Sequence, residues 1–460
     1  MRNCEVAPGV SPSRFSDAWV RTALGVSGAA PVGFDAIVTD SRTLAPGALF
    51  VALAGERFDA HEFLAAARGA GASGAVVRRG TPPVPGLVYY EVPDTLRALG
   101  DLAAAERNRF TGPVIGITGQ NGKTSTKEMV AAALSTKWRV HRTRANDNNL
   151  IGVPLTILQA PDTTEALVIE AGANLPGEIP RYQEIVRPDI AVVLNAGAGH
   201  LEGFGSVEGV LREKLSLAKD APLAIVGIEP ASLPLGARSI ARRVITAGLS
   251  GADVVPDDVT MAEDGCPIVS IDGRRFTAAA RGRHQAGNAM FAWAIARELR
   301  LDLDAVAVAL EQCNVPGGRG ELSQHAGLTI INDSYNANPQ SFATAIALAQ
   351  DLRPGRRLVF VAGTMRELGV HANDLHREVA GWLAALEPDL LAVVGDFVPA
   401  FAPWRSRFAE RLVEAPDADA RGPLLAQRLR GDELVVLKGS RGVTLERILP
   451  AILARAVTTT

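Results

Sequence analysis

One run of residues, Val114-Ile115-Gly116-Ile117-Thr118-Gly119-Gln120-Asn121-Gly122-Lys123-Thr124-Ser125-Thr126, limits what this chain can fold into more than any other. Its apolar start reads as a buried strand, its glycines as a turn, and Lys127 to Leu134 as the helix beyond. A strand that returns through a helix pairs in parallel with the next strand, so the run commits the chain to an α/β fold. The same run has the form of a phosphate loop. Backbone N–H groups converge on an anion where glycines allow it, and the helix start adds partial positive charge. Gly119, Gln120, Asn121, Gly122, Lys123, Thr124 and Ser125 are therefore the candidate nucleotide-phosphate contacts. Lys123 would neutralise β/γ oxygens, and the Thr124 hydroxyl is placed to hold Mg²⁺. Ile117 stands where the strict G-x-x-x-x-G-K-[ST] spacing puts its first glycine.

The chain has 460 residues, which at roughly 150 residues per domain favours about three domains. From 35 to 110, the apolar runs Ala36 to Val38, Ala48 to Leu53, Gly74 to Val77 and Leu87 to Val92 alternate with helical patterns, Glu62 to Arg68 and Thr95 to Arg109. This reads as a small α/β unit. Thr111-Gly112-Pro113 breaks the last of those helices. Up to 312, the strands Ala166 to Glu170, Ile190 to Asn195 and Ala224 to Val226 and a helix from Gln285 to Arg300 predict a parallel sheet with helices on both faces. A third set, with strands Leu328 to Asn332, Arg357 to Ala362, Leu391 to Val394 and Leu434 to Leu437, predicts an open, Rossmann-like α/β domain. The expected domains are 1–110, 111–312 and 313–460.

Lysine and arginine number 47 against 50 acids, a net charge of -3. That balance excludes a general nucleic-acid or membrane-surface binder, whose affinity rests on a basic face. The three cysteines, Cys4, Cys266 and Cys313, are too few and too scattered for a disulfide framework or a thiolate metal site. The opening residues lack the apolar core of a signal peptide, and no apolar run is long enough for a bilayer. A cytoplasmic protein is expected, and a monomer, since nothing calls for an obligate assembly.

Phosphate chemistry needs a metal-binding carboxylate at a neighbouring strand end, and Glu170 ends such a strand. The strand Ile190 to Asn195 leads to His200-Leu201-Glu202-Gly203-Phe204-Gly205. Carboxyl ends of parallel strands converge on one crevice, which favours functional roles for both Glu170 and His200 over an N-cap and a loop-packing histidine. In the third domain, Asp333 ends a strand and is a candidate for ribose hydroxyls, an Asx cap being the equal alternative. Arg319 is either a mobile charge for a transferred phosphoryl group or a solvated turn arginine. Lys214, by its residues alone, is a solvated helix lysine.

These segments, together with Asn148-Asn149, Ile151-Gly152-Val153-Pro154, Glu170-Ala171-Gly172-Ala173-Asn174, the run Asp333 to Pro339 and Lys438-Gly439-Ser440-Arg441-Gly442, resemble the Mur ligase family. The resemblance extends from Thr39-Asp40-Ser41-Arg42 to Lys438 and so spans all three domains. Within the family it is nearest to the branch that joins D-Ala-D-Ala to UDP-N-acetylmuramoyl-tripeptide. It implies a UDP-binding first domain, a central domain holding ATP and two Mg²⁺, and a third domain that closes over them.

By the resemblance Ser41, Arg42, Gly55, Arg57, Phe58 and Asp59 face the UDP end of the substrate, joined by Asn148 and Asn149. Asn288 contacts adenine, Asp333 the ribose with Asn336 near it, and Arg319 the γ-phosphate, while His284 lines the nucleotide side. Thr124, Glu170, His200 and Lys214 are the implied metal set, Lys214 as a carbamate, with Lys123, His200, Lys214 and Arg319 as the implied catalytic residues. Thr364 stands where the family usually carries Asp. The rival expectations are a sister ligase that adds diaminopimelate or lysine to UDP-muramoyl-dipeptide, and an ATP-driven switch that makes no bond.

Overall fold

The computed structural model describes residues 13–55, 58–315, 320–325, 327–417 and 421–458. An N-terminal sheet of four parallel strands, β1 (Ile37–Val38), β2 (Leu49–Val51), β3 (Gly74–Arg78) and β4 (Val88–Val92), is followed by helix α1 (Thr95–Arg109). Asp94 caps α1 by accepting from Leu96 N and Arg97 N. The chain then turns at Gly112, where a Cβ would lie 2.0 Å from Glu165 O, so only glycine passes.

The central unit contains β5 (Val114–Thr118), α2 (Lys123–Ser135), β6 (Val140–Arg142), α3 (Gly152–Leu158), β7 (Ala166–Glu170), α4 (Glu178–Val186), β8 (Ile190–Val193), α5 (Val207–Leu215), β9 (Leu223–Val226) and β10 (Val244–Thr246). Its strands pair in parallel in the order β10-β9-β8-β5-β7-β6. Successive residues of a strand point to opposite faces, so Val114, Leu167, Ile169 and Val193 join one apolar cluster and Ile115, Ile117, Val168 and Val192 another. The sheet is thus covered on both sides, as its unbroken apolar runs predict. The expected alternation is interrupted by an antiparallel sheet, β11 (Asp258–Met261), β12 (Pro267–Ile271) and β13 (Arg274–Thr277). Its half-exposed alternating pattern is too short to stand out from loop. Helices α6 (His284–Glu298) and α7 (Leu303–Glu311) then return against α2.

The C-terminal unit comprises β14 (Glu321–His325), β15 (Leu328–Asp333), α8 (Pro339–Leu352), β16 (Leu358–Gly363), α9 (Ala372–Leu386), β17 (Leu390–Val394), β18 (Leu412–Ala415) and β19 (Leu434–Lys438). The sheet order is β14-β15-β19-β16-β17-β18, parallel except for the β14 edge. The β15/β19 register sets Asp333 opposite Lys438.

The two junctions between units differ. The N-terminal and central sheets share one apolar cluster, running from Phe15 through Leu99 and Val114 to Val226. Polar bonds reinforce it: Arg107 donates to Val186 O and Arg181 pairs with Asp101. The large C-terminal clusters draw on residues of that unit alone, and it meets the centre apolarly through Leu375 against Ala196, Leu201 and Val210. Among the described residues no helix is long and apolar enough to cross a membrane.

Candidate active site

Between the carboxyl ends of the central and C-terminal strands lies a cavity of about 330 Å³, within the size range of small-molecule sites. One end is the phosphate loop. Gly119 at φ 154° and Gly122 at φ 83° bend it through conformations that L side chains rarely adopt. No side chain caps α2, and its opening residues Lys123, Thr124 and Ser125 line the cavity together with Gln120, Asn121 and Gly122. The helix begins at Lys123, earlier than the pattern Lys127 to Leu134 predicts. Asn195 locks the loop from behind, accepting from Gln120 N (3.1 Å) and Asn121 N (2.9 Å). Lys123 Nζ donates to Gly119 O (2.8 Å) and Gln120 O (3.0 Å), which holds its charge at the loop.

Glu170 lies beside this loop because β5 and β7 align Ile117 with Glu170. Its Oε1 accepts from Thr124 Oγ1 (3.1 Å) and Asn148 Nδ2 (2.7 Å). The other oxygen, Oε2, is buried without a hydrogen bond, with the fully buried Lys127 ammonium 3.7 Å away. A carboxylate oxygen left unsatisfied beside a hydroxyl is the hard-oxygen donor set that Mg²⁺ prefers, so these residues fit that ion. Among the described residues no three His, Cys, Asp or Glu side chains gather into a metal cluster.

His200 lines the same cavity in a left-handed conformation, φ 56°, and its Nδ1 contacts the Glu367 carboxylate from the C-terminal unit. That contact lowers the Glu367 pKa from its ordinary value. Lys214 on α5 is 1% exposed and does not line the cavity; its Nζ lies 5.8 Å from the Phe204 ring centre. Burial, and next the charge of Lys123, push its pKa down to about 7 against the opposing pull of Glu213 and Glu178.

His284, Asn288, Asp333 and Asn336 line the same cavity. Burial, helped by Lys438, brings the His284 imidazole down to about 4, which leaves it neutral at neutral pH. Asn288 packs so close to Gly122 that a Cβ there would lie 2.6 Å from its Oδ1. Asp333 pairs with buried Lys438 at 2.8 Å, and Lys438 also donates to Asn336 O (2.7 Å).

Ser41, Arg42, Gly55, Phe58 and Asp59 are absent from this cavity lining. Asp40 caps the Ser41–Thr43 turn and binds Arg42, which holds its carboxyl at about 2. Gly55 N donates to Phe58 O (2.9 Å), and the Phe58 side chain is 58% exposed. Asp59 accepts from His61 N (3.0 Å) and pairs with His61 and Arg78. Asn148 and Asn149, grouped with these residues by the sequence, instead line the phosphate-loop cavity, where Asn148 holds Glu170. Asn149 Oδ1 accepts from Gly152 N (2.8 Å) at the start of α3, which packs on β1. Arg57, Arg319 and Cys4 lie outside the described residues.

Several residues at the cavity were given no role by the sequence, although two of them lie in the segments that carry the resemblance. Lys438 and Gln285 line it, and Asn338 and Gln340 reach the phosphate loop from α8. Asn121 and Asn338 exchange side-chain bonds (2.8 and 3.3 Å), and Asn121 Nδ2 also donates to Gln340 Oε1 (2.9 Å). The available signals were slight: a rare lysine at a strand end for Lys438, and the Asn-Pro helix start for Asn338.

A phosphate loop whose neighbouring strand ends in a carboxylate, closed by a second α/β unit, defines a nucleotide-dependent enzyme class, and known families specify it. Residues 117–296 match the Mur ligase middle domain and residues 318–441 the Mur ligase glutamate ligase domain, so the chain belongs to the Mur ligase family. Among curated relatives it is 35% identical over 424 residues to UDP-N-acetylmuramoyl-tripeptide--D-alanyl-D-alanine ligase of Bacillus subtilis, covering 90% of this chain and 92% of that protein. Crystal structure I of MurF from Acinetobacter baumannii superposes with a TM-score of 0.87 at 30% identity, covering 96% of this chain and 99% of the other. MurF ligase from Thermotoga maritima in complex with ADP gives 0.82 at 29% identity, covering 92% and 98%.

Proposed function

We propose that the chain is an ATP-dependent amide ligase joining D-Ala-D-Ala to the terminal carboxylate of UDP-N-acetylmuramoyl-tripeptide, the last cytoplasmic step of peptidoglycan precursor synthesis. The observation that carries this is the cavity itself, lined by a phosphate loop with Glu170 and by the Asp333–Lys438 pair, in a chain 35% identical to such a ligase over 90% of its length. In this reading residues 1–110 take the UDP end, 111–312 hold ATP, and 313–460 close over it and receive the dipeptide. In the same reading the protein works as a monomer in the cytoplasm.

A carboxylate is too poor an electrophile for an amine. Its oxygen first attacks the γ-phosphorus of ATP, breaking the β–γ bridge and giving an acyl phosphate and ADP. The amine of D-Ala-D-Ala then adds to the acyl carbon, a proton leaves the nitrogen, and phosphate departs from the tetrahedral intermediate. Phosphoryl transfer of this kind asks the protein mainly for position and charge. The uncapped start of α2 and Lys123 bind the β/γ-phosphates, and Arg319 adds charge at the γ-phosphate. Asn288 contacts adenine, neutral His284 lines the nucleotide side, and Asp333 holds the ribose with Asn336 close by. Ser41, Arg42, Gly55, Arg57, Phe58 and Asp59 bind the UDP end, with Asn148 and Asn149 between it and the phosphate loop. Docking of the C-terminal unit excludes water from the acyl phosphate.

Thr124, Glu170, His200 and a carbamylated Lys214 would hold two Mg²⁺ ions, which supply charge neutralisation at the transferred phosphoryl group. A lysine held near 7 offers the neutral amine that carbamylation requires. Its nitrogen bonds to the carbon of CO₂ and sheds a proton, leaving an anion in place of a cation.

The test is phosphate release from ATP with UDP-N-acetylmuramoyl-tripeptide and, in parallel, D-Ala-D-Ala, diaminopimelate, lysine or no amine, the products being weighed by mass spectrometry. Release only with D-Ala-D-Ala, yielding a product heavier by that dipeptide less water, is expected. Equal hydrolysis without either substrate would overturn the ligase reading in favour of an ATP-driven switch.

A further inference from the structure

His200 and Glu367 come from different sheets and meet at the seam between the central and C-terminal units, Nδ1 against carboxylate. Both occupy left-handed backbone, at φ 56° and φ 63°, a conformation in which the Cβ of a non-glycine residue is crowded against the following carbonyl. Such strain persists where surrounding structure fixes it, and it gathers at working sites. The surroundings here do fix it. Gly203 N and Phe204 N donate to His200 O (3.0 and 3.1 Å), and Glu202 N donates across the seam to Glu367 O (3.2 Å). Gly369, at φ 56°, lies where a Cβ would stand 3.2 Å from Glu202 Cα, so the two loops approach to backbone distance. On its own side the Glu367 loop is mounted rigidly. Met365 N donates to buried His376 Nε2 (2.9 Å) and Arg366 N to Ser440 Oγ (3.0 Å).

An imidazole has two nitrogens. With the buried Nδ1 set against the Glu367 carboxylate and given no other partner, Nε2 is the donor atom left to the cavity that His200 lines. We propose that Glu367 is a positioning residue: it accepts the Nδ1 proton of His200, fixes the ring with its Nε2 lone pair available to a divalent cation, and does so only when the C-terminal unit is docked. Carboxylates behind ligating histidines have this effect generally, setting tautomer and orientation and raising basicity. Closure therefore assembles part of the metal site as well as covering the nucleotide. The inference rests on His200 being a metal ligand.

The experiment is an EPR titration of the full chain with Mn²⁺ in the presence of ADP, comparing wild type, His200→Ala, Glu367→Ala and Glu367→Gln, each first checked for an unchanged melting temperature. Glu367→Ala is expected to weaken Mn²⁺ binding by about ten-fold or more, as His200→Ala does. Wild-type Mn²⁺ affinity in Glu367→Ala beside a weakened His200→Ala overturns the positioning role and leaves the ligand reading standing. Wild-type affinity in His200→Ala overturns the ligand reading itself, and this proposal with it. Should Glu367→Ala melt early, Glu367→Gln decides: a loss between those of wild type and His200→Ala supports the role, and wild-type affinity overturns it.

Discussion

Replacing Lys214 with Met should make the protein's stability less sensitive to pH on the alkaline side of neutrality. The lysine is 1% exposed and its pKa is brought to about 7, against 10.5 for a free side chain. Below pH 7 both folded and unfolded chains carry the proton, so the penalty of a buried ammonium is complete and does not vary. Between 7 and 10.5 only the unfolded chain holds it, and stability rises with pH at about 1.4 kcal/mol per unit. From pH 6 to pH 9 wild type should therefore gain about 3 kcal/mol relative to Lys214→Met, which titrates no proton there. For a unit of this size that is roughly 6 to 12 °C in melting temperature. The assay is differential scanning calorimetry of both proteins in CO₂-depleted buffers across this range. Bicarbonate added at pH 8 should raise the wild-type transition further, by trapping the amine as carbamate, and leave the Met variant unmoved. A gap between the two proteins that stays constant from pH 6 to 9 would refute the neutral-amine argument and remove the chemical basis for carbamylation.

Two other substitutions separate nucleotide binding from closure. Gly122→Ala places a Cβ 2.6 Å from Asn288 Oδ1 at φ 83°, so the KM for ATP should rise about ten-fold, a loss near 1.4 kcal/mol of binding; an unchanged KM in initial-rate assays contradicts the close approach. Asn338→Ser keeps an oxygen for Ser341 N, the cap of α8, while losing the bonds to Asn121. It should melt near wild type, a cap being worth about 1 kcal/mol, yet scatter X-rays with a larger radius of gyration; identical scattering would show that these amides do not hold the units together.

The phosphate loop, the parallel sheets and Glu170 were legible because each is encoded by contiguous residues, apolar runs ending in a polar side chain. What depends on register between distant strands was not. Asp333 was visible at a strand end, but its neutralisation by Lys438 follows from β15 lying beside β19, 105 residues later. The Asn121–Asn338 exchange spans 217 positions, and no local spacing encodes it. Asn148 was grouped with the UDP side through family resemblance, and its bond to Glu170 likewise joins residues 22 positions apart that no local spacing pairs. Lys214 reads as a solvated lysine because helical periodicity gives a face, while its burial arises from how α5 packs on neighbours that no pattern reveals. The antiparallel sheet at 258–277 and the β14 edge are short, half-exposed strands, whose alternation is weak against a background of loops.

The contrast between the two junctions has a mechanical meaning. A shared apolar cluster makes the N-terminal and central sheets a single stiff body, since separating them would wet many side chains together. The other seam is fastened by amides and ion contacts, Asn121 to Asn338 and Gln340, Gln340 to Glu229, His200 to Glu367. Each such bond is worth only about 1 kcal/mol net, because water replaces it on release. The seam thus behaves as a zip: firm while every tooth is engaged, and cheap to undo one tooth at a time. A catalyst that must shelter a hydrolysable intermediate and then surrender a bulky product once per cycle needs a joint of that kind, and an oily joint would hold the product in.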